Sequence, residues 1–393
     1  MSREPISRSP DLKRLQDEGY DIEERSGHLL VKHVPYVNGS KEVKYGVLVS
    51  KLELSGDVAQ KPADHVVYFA GETPCDRHGQ ILSKIVNSSV RQDFGSGIVV
   101  DHIFSSKPAA GYRDYYAKVT TYVNMLAGPA QVIDPDATAK SFPVIESTED
   151  ESVFRYIDTA SSRAEIGPIS AKLGIESIGI VGLGGTGAYI LDLVAKTPVK
   201  EIHLFEGDRF LQHNAFRSPG APSADELRQV LQKVAYFHER YSRMHRNIVP
   251  HDGYLNESNL ETLRGIGFVF LAIDDGAVKR PIIAALEEYG IPFIDAGVGV
   301  YESEGSLAGQ LRVTTSTPQQ REHVRTKNRI PLSGGGEEDD YSQNIQIADL
   351  NALNAALAVI KWKKLYGFYR DLENEHFSIY EVDGNHLLNE DQA

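Results

Sequence analysis

The sequence predicts an α/β protein: a doubly wound, mostly parallel sheet, preceded by a smaller α+β domain. Three observations predict it. From residue 177 onward short apolar runs alternate with stretches of helical period, the order that builds a parallel sheet with helices on both faces. A glycine-rich turn, Gly182-Leu-Gly184-Gly185-Thr-Gly187, joins the first of those strands to the first helix. Residues 134–152, DPDATAKSFPVIESTEDES, are rich in Pro, Ser, Thr and acid and read as a linker, dividing the chain into residues 1–150 and 151–393.

In the first part, Val43–Ser50 and Asp64–Ala70 have the β-branched and aromatic character of strands. Within 111–126, Tyr112, Tyr115, Tyr116, Val119, Tyr122, Val123 and Leu126 fall on one helical stripe and read as core. In the second part, strands are expected at 177–182, 201–206, 267–273 and 291–295, and helices at 186–196, 224–244, 276–289 and 345–365. The last helix is apolar on most faces and reads as buried or as a dimer contact. The tail from Asp383 reads as a partner-docking or loose segment.

The bulk numbers exclude several classes. A formal charge of -14 over 393 residues argues against nucleic acid as a partner. The longest apolar runs are too short to span a bilayer, and the opening Met1-Ser-Arg-Glu-Pro-Ile-Ser has no apolar signal core, so no membrane and a cytoplasmic location are expected. The single cysteine, Cys75, rules out a disulfide framework and a four-cysteine zinc site within one chain.

Glycines at a strand-to-helix turn let backbone N–H groups approach phosphate, and the helix N-terminus favours the anion. The spacing Gly182, Gly184, Gly187 also satisfies a dinucleotide fingerprint, and Glu206 ends the next strand where an acid holds ribose hydroxyls, so NAD and ATP both remain open at the loop. The residues that follow favour ATP. Glu206 is followed by Asn214 and Arg217, then by Lys233, and a buried strand ends in Asp274-Asp275. Cations that converge on a triphosphate and an aspartate that holds magnesium serve nucleotidyl transfer, whereas hydride transfer needs neither. Taken singly, Arg217 and Lys233 read as solvated charges; the ordered set gives them a function.

That set, from about residue 153 to 365, resembles the ThiF/MoeB/HesA family, the adenylation fold of ubiquitin-activating-type enzymes. The resemblance implies a Rossmann-like, ThiF-type domain using ATP and Mg2+. Gly182, Gly184, Gly185 and Gly187 match the loop and Glu206 the ribose acid, where the family usually has Asp. Asn214 and Arg217 match the phosphate pair, Lys233 the catalytic lysine and Asp274 the magnesium-linked aspartate. An arginine before the first strand, Arg163 in preference to Arg155, matches the one that reaches a partner subunit's ATP, which implies a homodimer. The implied reaction is adenylation of the C-terminal carboxylate of a ubiquitin-like or sulfur-carrier-like small protein, with a conjugating enzyme as a further partner. Antiviral defence in bacteria follows by family association alone.

Full activators then pass the acyl group to a cysteine, but residues 151–393 contain none. The reaction ends at the adenylate, or Ser333 carries an oxyester with His323 as its base, or Cys75, near His78, serves from the first domain. The paired cysteines of a structural zinc are absent. Residues 1–150, with FSSKPAAGYRDYYAKVTTYV, resemble an uncharacterised domain that precedes ThiF-type domains; binding of the substrate or conjugating enzyme is its expected role. An NAD-dependent oxidoreductase and a non-catalytic adaptor with a degenerate nucleotide fold are the competing classes.

Overall fold

The structure is a computed structural model, and it describes residues 4–332 and 345–392. The chain divides into two compact units, Met1–Ile145 and Glu146–Ala393. No helix among the described residues is long and apolar enough to cross a membrane.

The first unit is built on an antiparallel sheet of six strands: β1 (Ile22–Arg25), β2 (His28–Val37), β3 (Val43–Lys51), β4 (Val66–Ala70), β5 (Val86–Ser88) and β6 (His102–Ser105), in the order β1-β2-β3-β4-β6-β5. Helix α1 (Pro10–Asp17) and the long helix α2 (Tyr115–Ile133) accompany it. The aromatic stripe of α2 is core: Tyr115, Val119, Tyr122 and Leu126 are fully buried. Buried tyrosines keep their hydroxyls satisfied, and here the Tyr115 hydroxyl donates to the Lys51 carbonyl at 2.9 Å and that of Tyr122 to the His65 carbonyl.

The second unit carries an eight-stranded sheet: β7 (Ser177–Val181), β8 (Glu201–Glu206), β9 (Ile248–Asp252), β10 (Phe268–Leu271), β11 (Phe293–Ser303), β12 (Ser306–Ser316), β13 (Phe377–Glu381) and β14 (His386–Glu390). The order is β9-β8-β7-β10-β11-β12-β13-β14. The pairs from β9 to β11 are parallel and those from β11 to β14 antiparallel. The sheet is doubly wound as expected, but the antiparallel extension goes beyond the sequence reading.

Helices α3 (Thr159–Arg163), α4 (Gly185–Val194), α5 (Lys233–Tyr241), α6 (Gly276–Glu288) and α7 (Ala348–Leu365) complete the frame. Alternation along buried strands divides the core: Ile178, Ile180 and Phe270 face α4, α5 and α7, while Val181, Val269 and Leu271 face α6. Chain order runs outward from β7 in both directions, so the switch point opens a crevice at the carboxyl ends of β7 and β10.

Two expectations change. The helix expected over 224–244 is two helices, Ala224–Arg228 and α5, broken where Val230 takes φ 48°. The break lets Phe210 N–H donate to the Leu231 carbonyl and Lys233 N–H to the Asp208 carbonyl, both at 2.8 Å. Lys233 therefore opens a helix instead of sitting in mid-helix. The tail is not loose either, because β14 pairs with β13 along its whole length.

Candidate active site

The crevice holds a cavity of about 360 Å³, within the size range of nucleotide and small-molecule sites. Of the residues expected from the sequence, Gly182, Gly184, Gly185, Glu206, Arg217, Lys233 and Asp274 line it.

The glycine loop has a steric reason at nearly every position. Gly182 sits at φ +90°, and a Cβ there would lie 2.5 Å from the Ala272 carbonyl oxygen. A Cβ on Gly187 would lie 1.9 Å from the carbonyl oxygen of Gly182, so the helix packs directly on the turn. Gly184 differs: it is the N-cap of α4, and a Cβ there would meet nothing within 4 Å among the described residues. Its open side belongs to the cavity.

Glu206 ends β8 and organises the loop. One carboxylate oxygen accepts from Leu183 N–H at 2.9 Å and the other from Gly207 and Asp208 N–H at 3.0 Å. The ammonium of Lys233 lies 3.3 Å from Glu206 and 2.8 Å from Asp208. Lys233 is buried, and its charge is shared by these two acids. Asp208 also accepts from the Tyr254 hydroxyl, and the two donors, Lys233 first, hold its carboxyl below the usual range. The hydrogen bond to Asp208, together with burial, pushes the Tyr254 hydroxyl up to about 12. The Tyr254 ring walls the cavity against Gly207, where a Cβ would come within 2.7 Å of it.

Arg217 enters from the loop after β8, and its Nε is buried and has no hydrogen-bond partner among the described residues. A buried guanidinium N–H without an acceptor is costly, and an anion in the cavity would satisfy it. Asn214 is buried but faces inward, its amide oxygen accepting from Leu211 N–H at 2.8 Å and so shaping the turn that presents Arg217. It is absent from the cavity lining, as is Gly187. Asp274 follows β10 at the cavity mouth, while Asp275 caps α6 through Ala277 N–H at 2.8 Å.

Sequence reasoning missed Asn351. This fully buried residue of α7 sits on the loop: its Oδ1 accepts from the Thr186 hydroxyl at 3.2 Å and its Nδ2 donates to the Arg217 carbonyl at 3.4 Å. Gly185 makes room for it, since a Cβ there would be 1.9 Å from the Asn351 amide nitrogen. Also missed was Asp295, fully buried between Lys279 Nζ at 2.6 Å and Arg312 Nη2 at 2.7 Å, one residue before the cavity-lining Ala296.

The remaining expected residues lie elsewhere. Arg163 is exposed at the end of α3 and outside the cavity lining. Cys75 is buried; its thiol donates to the Thr73 carbonyl at 3.4 Å, and burial, with the Asp76 charge, pushes its pKa up. That favours the thiol over the nucleophilic thiolate. Ser333 lies outside the described residues. His323 is buried beside His376, with ring centroids 5.9 Å apart, and burial lowers its pKa.

Comparison with known proteins places two families along the chain. Residues 10–159 match DUF6791, a domain of unknown function, and residues 164–351 match the ThiF family. No curated protein matches. Solved structures with a similar fold include PaaA, at 16% identity and a TM-score of 0.43, covering 59% of this chain and 69% of that one. Another is MccB of E. coli, at 17% identity and a TM-score of 0.46 with the same coverage. MccB of E. coli with ATP is similar at 16% identity and a TM-score of 0.44, covering 57% of this chain and 66% of the other. The chain thus carries a ThiF family domain over residues 164–351, behind a DUF6791 domain over residues 10–159.

Proposed function

We propose that this protein uses ATP to adenylate the C-terminal carboxylate of a small protein of ubiquitin-like or sulfur-carrier-like type. The observation that carries the reading is the buried Nε of Arg217, without a hydrogen-bond partner among the described residues and held at a cavity that also contains an open glycine turn, an acid at the ribose position and a buried lysine.

In this reading the phosphates lie along Gly184 at the N-terminus of α4, where backbone N–H groups and the helix dipole favour anions. Glu206 holds the loop and takes the ribose edge. A substrate carboxylate oxygen attacks the α-phosphorus; the new O–P bond forms as the bond to the bridging oxygen breaks, and pyrophosphate leaves with that electron pair. Arg217 and Lys233 neutralise the charge that builds on the leaving group, and positioning does the rest. Lys233 reaches the phosphates by leaving Asp208, which Tyr254 retains.

Asp274 is a hard oxygen donor at the cavity mouth, and among the described residues no three or more His, Cys, Asp or Glu gather as a metal site. One carboxylate completed by phosphate oxygens suits magnesium better than a protein cage would. Bound there, magnesium would supply charge neutralisation at the phosphates. Arg163, on its exposed helix, is assigned to the site of a second subunit of a homodimer. The acyl group leaves the adenylate for a partner's thiol or amine, a reading supported by the burial of Cys75, which with the Asp76 charge pushes its thiol pKa up. Residues 1–150 are assigned to binding of the small protein or a conjugating enzyme.

Exchange of labelled pyrophosphate into ATP, with the candidate small protein present, tests the reading. Arg217→Ala is expected to lower exchange by roughly 100-fold or more while the unfolding temperature holds. Lys233→Ala is expected to lower exchange as far and to lower the unfolding temperature as well, because it leaves the buried Glu206 carboxylate without its cation. Full exchange in both variants would sink the residue assignment. Calorimetric binding of NAD without binding of magnesium-ATP would replace the reading with a dehydrogenase.

A further inference from the structure

Asn351 lies in the first turn of α7, at the head of an apolar stripe. Ala355, Ala358 and Trp362 continue that stripe four, seven and eleven residues on, and all four residues are fully buried. The three apolar residues pack into the core that holds Ile178, Ile180 and Phe270. A buried amide costs free energy unless its groups are paired. An apolar side chain of similar size would fill the place without that cost, so packing does not account for an asparagine here.

Its amide goes to two separate turns. Oδ1 accepts from the Thr186 hydroxyl of the glycine turn at 3.2 Å, and Nδ2 donates to the Arg217 carbonyl of the turn after β8 at 3.4 Å. Gly185 lies against the amide: a Cβ there would be 2.4 Å from the Asn351 Cγ and 1.9 Å from Nδ2, so any larger residue would displace it. Gly185 is the glycine that the spacing of Gly182, Gly184 and Gly187 does not call for, and Asn351 is its reason. Both turns face the cavity, since Gly184, Gly185, Thr186 and Arg217 line it. A satisfied buried network fixes one arrangement of the groups it joins.

We infer that Asn351 is a positioning residue of the nucleotide site: it ties the turn that admits the phosphates to the turn that presents Arg217, and so sets where the Arg217 guanidinium stands relative to Gly184. The inference rests on the adenylation reading above and assigns no chemistry to Asn351 itself. The Arg217 side chain is long, and its Nε has no hydrogen-bond partner among the described residues, so its position depends on the backbone that carries it. Holding the Arg217 carbonyl to the glycine turn removes freedom that the nucleotide would otherwise have to remove on binding, which is how preorganisation raises affinity.

Calorimetric binding of magnesium-ATP to the full chain, beside unfolding in urea, tests it. Asn351→Ala is compared with Asn354→Ala, a fully buried asparagine of the same helix whose Nδ2 donates to the Gly297 carbonyl at 3.0 Å. Both should lower the urea midpoint, because each leaves a partner unpaired. Only Asn351→Ala is expected to raise the dissociation constant for ATP, by roughly tenfold, and Asn354→Ala should leave it within about twofold. Asn351→Ala added to Arg217→Ala should weaken binding no further, since the one acts through the other. Equal ATP affinity in the two asparagine variants, or additive losses with Arg217→Ala, would overturn the inference and leave the adenylation reading standing. A wild type that binds no ATP, or an Arg217→Ala that binds it as the wild type does, would overturn that reading and the inference with it. If Asn351→Ala fails to fold, Thr186→Val decides, because it takes the hydroxyl from Asn351 and puts a methyl in its place. It should weaken ATP binding in the wild type and not in Arg217→Ala; no loss in the first, or a loss in the second, would overturn the inference.

Discussion

The glycines of the loop illustrate how much a single missing side chain can do. Gly187→Ala would drive a methyl into the Gly182 carbonyl oxygen at 1.9 Å, and backbone there has no room to yield. It should cost at least about 2 kcal/mol of stability, read as a lowered midpoint in urea. Gly184→Ala meets open space, and its cost as a poorer N-cap should stay at or below about 1 kcal/mol. Yet the methyl would stand where the phosphates are assigned, so calorimetric ATP binding should fall while the urea midpoint changes little. Equal loss of binding and stability in both variants would argue that Gly184 does not face the ligand. The loop glycines, Glu206, Arg217 and Lys233 were legible because each belongs to a spaced motif. Asn351 was not, since an asparagine in an apolar helix has no local signature; only tertiary contact brings it 165 residues back to Thr186.

At the scale of elements, the break between Ala224–Arg228 and α5 positions Lys233. Val230 takes φ 48° to make it, a conformation that a β-branched side chain resists. Val230→Gly should therefore stabilise the fold, by up to about 1 kcal/mol after the entropy of the added glycine is subtracted. A rise in thermal midpoint with ATP binding intact would bear this out, and a fall would mean that the Val230 side chain contributes more than its strain removes. Helical periodicity runs straight through this break, which explains why one helix was expected. The β11–β12 hairpin escaped for another reason. Its turn, Glu304-Gly305, has positive φ at both residues between the paired Ser303 and Ser306, the geometry of a tight type I′ turn. Without Asn or Asp before the glycine, that signal was weak.

For the molecule as a whole, a charge of -14 at neutral pH makes the paired acids a measure of acid stability. At the end of α7, Lys361 Nζ lies 2.9 Å from Asp371, and Lys364 Nζ lies 2.9 Å from Glu375. Burial alone would raise the Asp371 carboxyl. Lys361, the Asn374 N–H and Lys364 outweigh it and hold the group at about 2, against an ordinary 3.8. A depressed carboxylate stabilises the fold above its unfolded pKa, and that stability is lost as pH falls through the folded value. Asp371 should thus contribute about 2 kcal/mol at neutral pH, withdrawn between about pH 4 and pH 2. Asp371→Asn should flatten the pH dependence of the urea midpoint in that window; an unchanged slope would show that the pairing is not formed in solution.

Hydrophobic period, turn chemistry and motif spacing are local, and they alone determined the doubly wound order, the nucleotide-type loop and the spaced set from Glu206 to Asp274. Each was readable because its residues lie within one or two elements of each other. What joins distant segments was decided only by tertiary structure. The sheet brought Tyr254 to Asp208, α7 brought Asn351 to the glycine loop, and the helix break turned Lys233 toward two carboxylates. It also ended the sheet in β14, an edge strand whose residues are all exposed. A contact between segments far apart in sequence leaves no period or spacing behind it, because neither partner needs a particular neighbour to make it.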